Sequence, residues 1–151
     1  MILSNSYAND YLNFLFGKKE KLEAPSQVWA GLCANNPETD GGTFAEISGF
    51  GYGRTLLSLA NAQYPADLAS ASGREIKNVR QLVFPKATGA YTARGIGFFS
   101  SETGGTPFAY GALGTPQNPL AVEIIAGALP MFEITGFRIY APAATESQND
   151  T

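Results

Sequence analysis

Two different rhythms run along this chain. From Tyr7 to Phe16 the apolar residues Tyr7, Tyr11, Leu12, Leu15 and Phe16 fall near helical spacing, with Ser4 and Ser6 placed to cap the start and Gly17 to close the end. This predicts one short amphipathic helix. Its apolar stripe packs on the edge of the domain or docks on another subunit, and the spacing does not choose between them. Lys18-Lys19-Glu20-Lys21 follows as a solvated link, its lysines suited to a helix C-terminus.

Beyond residue 27 the apolar runs become short and are broken by glycine and proline. Gln27 to Ala34 reads as a buried strand holding Val28, Trp29, Leu32 and Cys33, ended by Asn35-Asn36-Pro37 and a polar loop from Glu38 to Thr43. Tyr52 to Leu59 reads as extended after the bulged entry Gly49-Phe50-Gly51. Ala60 to Arg74 lacks periodicity and reads as a long connection, a place for a partner-facing insertion. Ile76 to Phe84 is a strand ended by Pro85, and Lys86 to Ala90 turns into the next. Thr92 to Ser100 is a core strand that turns at Glu102-Thr103-Gly104-Gly105 into a paired strand from Phe108 to Leu113. After the break from Thr115 to Pro119, Leu120 to Ile125 and Leu129 to Tyr140 supply the last strands. The pattern predicts a mainly β protein: an antiparallel β-sandwich or jelly-roll with a short N-terminal helix. It divides as residues 1–21, helix and link; 22–141, the β domain; and 142–151, a polar tail.

Composition narrows the chemistry. The 151 residues suit one domain, and a single cysteine, Cys33, rules out an internal disulfide. Its apolar neighbours make it a small buried hydrophobe. No histidine is present, which removes a serine triad and the commonest metal ligand. Glu46, Glu102, Glu123 and Glu133 offer carboxylates for glycoside chemistry, but none sits in a catalytic motif, and alternation puts Glu123 and Glu133 on solvent faces. Glu38 and Asp40 lack the spacing of a calcium loop, and the glycines around Gly49 and Gly51 match no phosphate-binding turn. The chain therefore reads as non-enzymatic, with no cofactor, metal or catalytic residue.

A net charge of −3, with Arg138 the one base after residue 95, disfavours nucleic acid. No apolar run approaches a membrane span. The first residues lack a basic stretch followed by an apolar core, so synthesis and folding in a reducing cytoplasm are expected.

Several motifs occur in a fixed order: Trp29-Ala30-Gly31-Leu32 with Ala34-Asn35-Asn36-Pro37; Glu46-Ile47-Ser48-Gly49 with Gly51-Tyr52-Gly53-Arg54; Phe84-Pro85-Lys86-Ala87; Gly95-Ile96-Gly97-Phe98-Phe99; and Thr103-Gly104-Gly105 with Tyr110-Gly111-Ala112-Leu113. This series resembles a family of small tailed-phage virion proteins often labelled tail fibre or minor tail protein, over about residues 28 to 140. Ser100-Ser101 replaces the Asp-Ala expected before the Gly-Gly turn, and Asn118-Pro119 replaces a later Gly-Asp turn. The helix and the long connection lie outside the resemblance.

The resemblance implies a structural virion component, tail, fibre or baseplate-associated, made in the host bacterial cytoplasm. It would self-associate as a trimer or higher ring and dock on other virion proteins. Tyr7, Tyr11, Leu12, Leu15 and Phe16 are the expected interface residues, since aromatic and leucine side chains anchor interfaces. Two alternatives remain open: a capsid decoration (cement) protein, and a carbohydrate-binding module for a host glycan. In the second, Tyr64 and Tyr91 would contact the sugar, with Trp29, Tyr52 and Tyr110 as further platforms.

Overall fold

A computed structural model describes residues 2–22, 25–58, 67–73, 75–115, 117–133 and 136–140. In chain order these hold β1 (Ile2–Leu3), α1 (Asn5–Leu15), β2 (Val28–Cys33), β3 (Thr55–Leu57), β4 (Glu75–Lys77), β5 (Leu82–Val83), β6 (Tyr91–Ala93), β7 (Gly95–Phe99), β8 (Ala109–Ala112), β9 (Gly114–Thr115), β10 (Asn118–Pro119), β11 (Val122–Ile124), β12 (Met131–Phe132) and β13 (Arg138–Tyr140). The protein is mainly β, every strand pair is antiparallel, and one short helix stands at the N-terminus.

The frame is a five-stranded sheet in the order β1-β8-β7-β2-β3. Side chains alternate across a strand, so the register fixes what each face carries. Ala30 and Leu32 lie beside Phe98 and Ile96, with Ala109 next to Phe98, and all five are buried. This face meets the two-stranded ribbons β5–β12, β6–β11 and β4–β13. Phe98 packs against Phe137 at 5.6 Å between ring centres, Phe137 against Phe132 at 5.6 Å, and Phe132 against Phe84 at 6.3 Å. Layers joined in this way form the core of the domain.

The expected strands are present but shorter. The stretch from Ile76 to Phe84 is two strands with different partners, because Asn78 turns inward between them and is fully buried. Its amide nitrogen donates to the Arg80 and Glu133 carbonyls, and its oxygen accepts from the Phe137 N–H at 3.1 Å, so the residue bonds across the ribbons as a strand residue cannot. Thr92 to Ser100 likewise divides at Arg94: β6 pairs with β11, while β7 enters the main sheet. The strand expected from Tyr52 begins only at Thr55, since Tyr52 and Arg54 are drawn into the contacts described below. Trp29 is half-buried where full burial was expected, and its indole N–H donates to the Gln27 side chain at 3.3 Å.

The helix forms close to where its spacing placed it. Ser4 caps it by accepting from the Tyr7 N–H at 3.4 Å. Gly17 closes it at φ +70°, letting the Lys18 N–H reach back to the Asn13 carbonyl at 2.7 Å. Most of the Ala60 to Arg74 connection and the tail from residue 142 lie outside the described residues.

Candidate functional site

The two glycine-rich segments on either side of the chain's middle meet in space. Arg54 follows Gly51-Tyr52-Gly53, and its side chain is only 3% exposed. Its Nε donates to Glu46 Oε1 at 2.8 Å and its Nη2 to Glu46 Oε2 at 2.7 Å, a two-pronged pairing. Its Nη1 donates to the Ser101 and Gly104 carbonyls at 2.8 and 2.9 Å. The guanidinium lies 3.4 Å above the centre of the Phe99 ring. One buried cation thus ties residues 46–54 to the turn 101–104 and to the end of β7. Sequence reading identified both turns and missed the tie. A lone Arg eight residues after a Glu, either side of a glycine cluster in a charge-poor chain, was the available signal.

Tyr52 completes this arrangement. Its hydroxyl accepts from the Leu32 N–H and donates to Glu46 Oε1, both at 2.9 Å. Burial first, and the neighbouring Glu46 carboxylate after it, push the phenol well above its ordinary range. Gly31 leaves space for these groups: a Cβ there would stand 2.9 Å from the Tyr52 hydroxyl and 3.0 Å from the Phe99 ring. At the loop tip, Gly51 adopts φ +76°, and a Cβ would meet the Lys86 carbonyl at 2.8 Å. Between Gly49 and Gly51, Phe50 sits at φ +56°, its ring exposed on one side and laid over Gly89 on the other. The Thr88 N–H bonds the Phe50 carbonyl at 2.8 Å and fixes the loop.

These groups are engaged with one another and hold no poised nucleophile or general base. Glu46 is paired with Arg54, Glu102 and Glu123 are exposed, and Glu133 is exposed and accepts from Gln81 at 2.7 Å. Asp40 accepts from Asn35 within its own loop, and Glu38 accepts from the Ala112 N–H, tying that loop to the end of β8. No cluster of three metal-ligating side chains exists among the described residues. Burial pushes the Cys33 thiol up to about 12. No helix among the described residues is long and apolar enough to cross a membrane.

Two concave regions among the described residues bear on the site. One, of about 290 Å³, lies at the start of α1 and is lined by Phe44, Glu46, Phe99, Pro107 and Tyr110 among others. The second is an apolar groove of about 240 Å³ lined by Leu113, Leu120, Val122, Ile124, Met131 and Phe132 above the core. Nothing in the one-dimensional pattern brought these groove residues together, since they come from two separate strands, β11 and β12, and from the connections either side of the β9–β10 pair.

Of the expected interface residues, Tyr7 is half-buried and packs on Phe108 with ring centres 5.4 Å apart. Tyr11, Leu12, Leu15 and Phe16 are exposed, Phe16 by 75%, and Phe14 joins them; no residue of the helix is buried. Tyr91 is 7% exposed with its ring edge-on to Tyr52, so it presents no open face on which a sugar could stack. Tyr64 lies outside the described residues.

The model of one protein family, described as Podophage GP4 fiber I protein gp80, matches residues 2–128. Comparison with curated proteins gives no match.

Proposed function

The chain belongs to that podophage fibre family, a family of structural virion proteins, and from this premise we propose that it works as a passive self-associating fibre subunit. The domain is a rigid support, and the helix α1 makes the contact between subunits. Tyr11, Leu12, Leu15 and Phe16 are the anchors, with Tyr7 fastening the helix base to Phe108.

One observation carries the reading. The helix has a defined cap, a defined end and an apolar stripe, yet buries none of its residues in its own domain. An isolated helix of 11 residues is marginal in water, and most helical stability in proteins comes from packing an amphipathic face. A surface of this kind, on a member of a virion family, is an interface awaiting its other half. Rigidity serves the same end. A subunit whose loops are fixed in advance loses less conformational freedom when it binds.

The test is incorporation. Phage carrying Leu12→Asp with Leu15→Asp should hold several-fold less of this protein per purified particle, by quantitative mass spectrometry, while the isolated variant keeps its β circular-dichroism spectrum. Unchanged occupancy would remove the helix from the contact. Gold label on the head instead of the tail, in electron micrographs, would replace the fibre role with capsid decoration.

A further inference from the structure

We infer that the pocket beside the start of α1, lined by Tyr110 and Glu46, binds one neutral sugar unit. This adds a ligand site to the structural role and does not depend on the contact made by the helix.

The pocket owes its shape to glycines. Side chains alternate across a strand, so Gly31, Gly97 and Tyr110, side by side on β2, β7 and β8, lie on the face of the main sheet opposite Ala30, Phe98 and Ala109. Two of the three carry no side chain, which leaves a depression beside Tyr110. The loop after Asp40 folds over it: a Cβ on Gly97 would stand 2.7 Å from the Phe44 ring, and one on Gly42 would stand 2.8 Å from the Tyr110 hydroxyl. Phe44 in turn meets Phe99 edge-on, with ring centres 5.4 Å apart. The first residues of α1 and residues 105–107 complete a cavity of about 290 Å³. That is the small end of the range for ligand pockets, which suits a single ring.

Two polar groups reach this cavity with bonding capacity to spare. Tyr110 lines it while only 8% exposed, and its hydroxyl makes no hydrogen bond among the described residues. The Tyr91 hydroxyl is also unbonded, but it is shut inside the core. That of Tyr110 has a cavity in front of it. Buried polar groups are ordinarily bonded, so a ligand is the missing partner. Tyr110 therefore offers its hydroxyl and not an open ring face. Glu46 accepts three hydrogen bonds, one from Tyr52 and two from Arg54, and a carboxylate has about four such sites. It lines the pocket with its side chain 28% exposed, which leaves the remaining site to a ligand hydroxyl. The class of ligand follows from the rest of the lining. Among the described residues Glu46 is the one charged group there, and Arg54 neutralises it, so an ion gains little. Asn5, Thr43 and Thr106 add groups that both donate and accept, as sugar hydroxyls do. Phe44 and Pro107 supply apolar wall for the C–H face of a ring.

Titration of the isotope-labelled full chain with methyl glycosides of neutral hexoses and N-acetylhexosamines tests this, with inorganic phosphate and methylguanidinium as charged probes. At least one neutral glycoside should shift the backbone resonances of Gly42, Phe44 and Gly105 together, and neither ion should. Tyr110→Phe keeps the ring and should weaken that glycoside several-fold. Thr106→Trp, at an exposed position, should block it. Both variants should keep the β circular-dichroism spectrum. Ion binding alone at these residues, an unchanged affinity in Tyr110→Phe, or no shift with any glycoside overturns the proposal. The source of the sugar separates in a further arm, and either result upholds the pocket: an immobilised polysaccharide ending in the same unit and bound more tightly than the glycoside identifies a chain end, whereas equal affinity identifies the free sugar. Occupancy of particles should be unchanged in Tyr110→Phe, so this site and the self-association of the subunit stand or fall separately.

Discussion

Replacing Arg54 with methionine keeps the length and apolar stem of the side chain and removes its charge and its donors. Four hydrogen bonds disappear: two to Glu46, at 2.8 and 2.7 Å, and two to the Ser101 and Gly104 carbonyls, at 2.8 and 2.9 Å. The cation over the Phe99 ring is lost with them. Removing one partner of a buried ion pair costs about 3–5 kcal/mol, because the other charge stays behind without compensation. Here Glu46 is 28% exposed, so water recovers part of that cost. The two carbonyls accept from water once the turn loosens. The lower end of the range, about 3 kcal/mol, is the expected loss, a factor of roughly 100 in the folding equilibrium. Urea unfolding at fixed protein concentration measures it. A cycle with Glu46→Gln separates the pairing from the rest: the double variant should be more stable than the sum of the single losses predicts, by about 1–2 kcal/mol. A loss below about 1 kcal/mol, or additive single variants, would refute the view that this cation joins the two turns energetically as well as geometrically.

Two further outcomes test the support around it. Gly51→Ala should cost about 2 kcal/mol or more in the same assay, since alanine disfavours φ +76° and its Cβ would crowd the Lys86 carbonyl at 2.8 Å; the neighbouring exposed Gly49→Ala, with open space around its Cβ, should cost less. Cys33 should resist alkylation at pH 8 in the folded protein and react once urea unfolds it. Because its folded pKa is raised from 9.0 to about 12, its contribution to stability is complete below pH 9 and declines as pH rises from 9 toward 12; Cys33→Ala should flatten that decline.

The elements that were legible in sequence are those whose signal is local. Ser4 and Gly17 bounded the helix because caps and left-handed closures act on their nearest backbone groups. The turn at Gly104-Gly105 announced the pairing of β7 with β8 because a short connection leaves few alternatives. What could not be read was set by partners distant in sequence. Asn78 sits in an alternating stretch, Ile76-Lys77-Asn78-Val79-Arg80, that gives it no sign of burial, yet it bonds Glu133 and Phe137, more than fifty positions away. Arg54 looks like an ordinary surface base until the Ser101 and Gly104 carbonyls come to it. Tyr91 has the composition of a sugar platform, and only packing against Tyr52 withdraws it from solvent. The groove is the extreme case: its lining is assembled from strands and connecting residues that share no sequence rhythm, whereas the helix was visible from spacing alone.

The order β1-β8-β7-β2-β3 places the first residues of the chain beside residues 109 and 110. Pairings of such long separation form slowly, since a large loop must close before any contact rewards it. The consequence concerns timing during translation. A ribosome must release the chain through β8 before the edge that seats β1 exists, and the Arg54 tie likewise waits for residue 104. Until then the helix has no fixed base from which to project. The edge that seats β1, and with it the base of α1, is therefore complete only once the chain through β8 has been made.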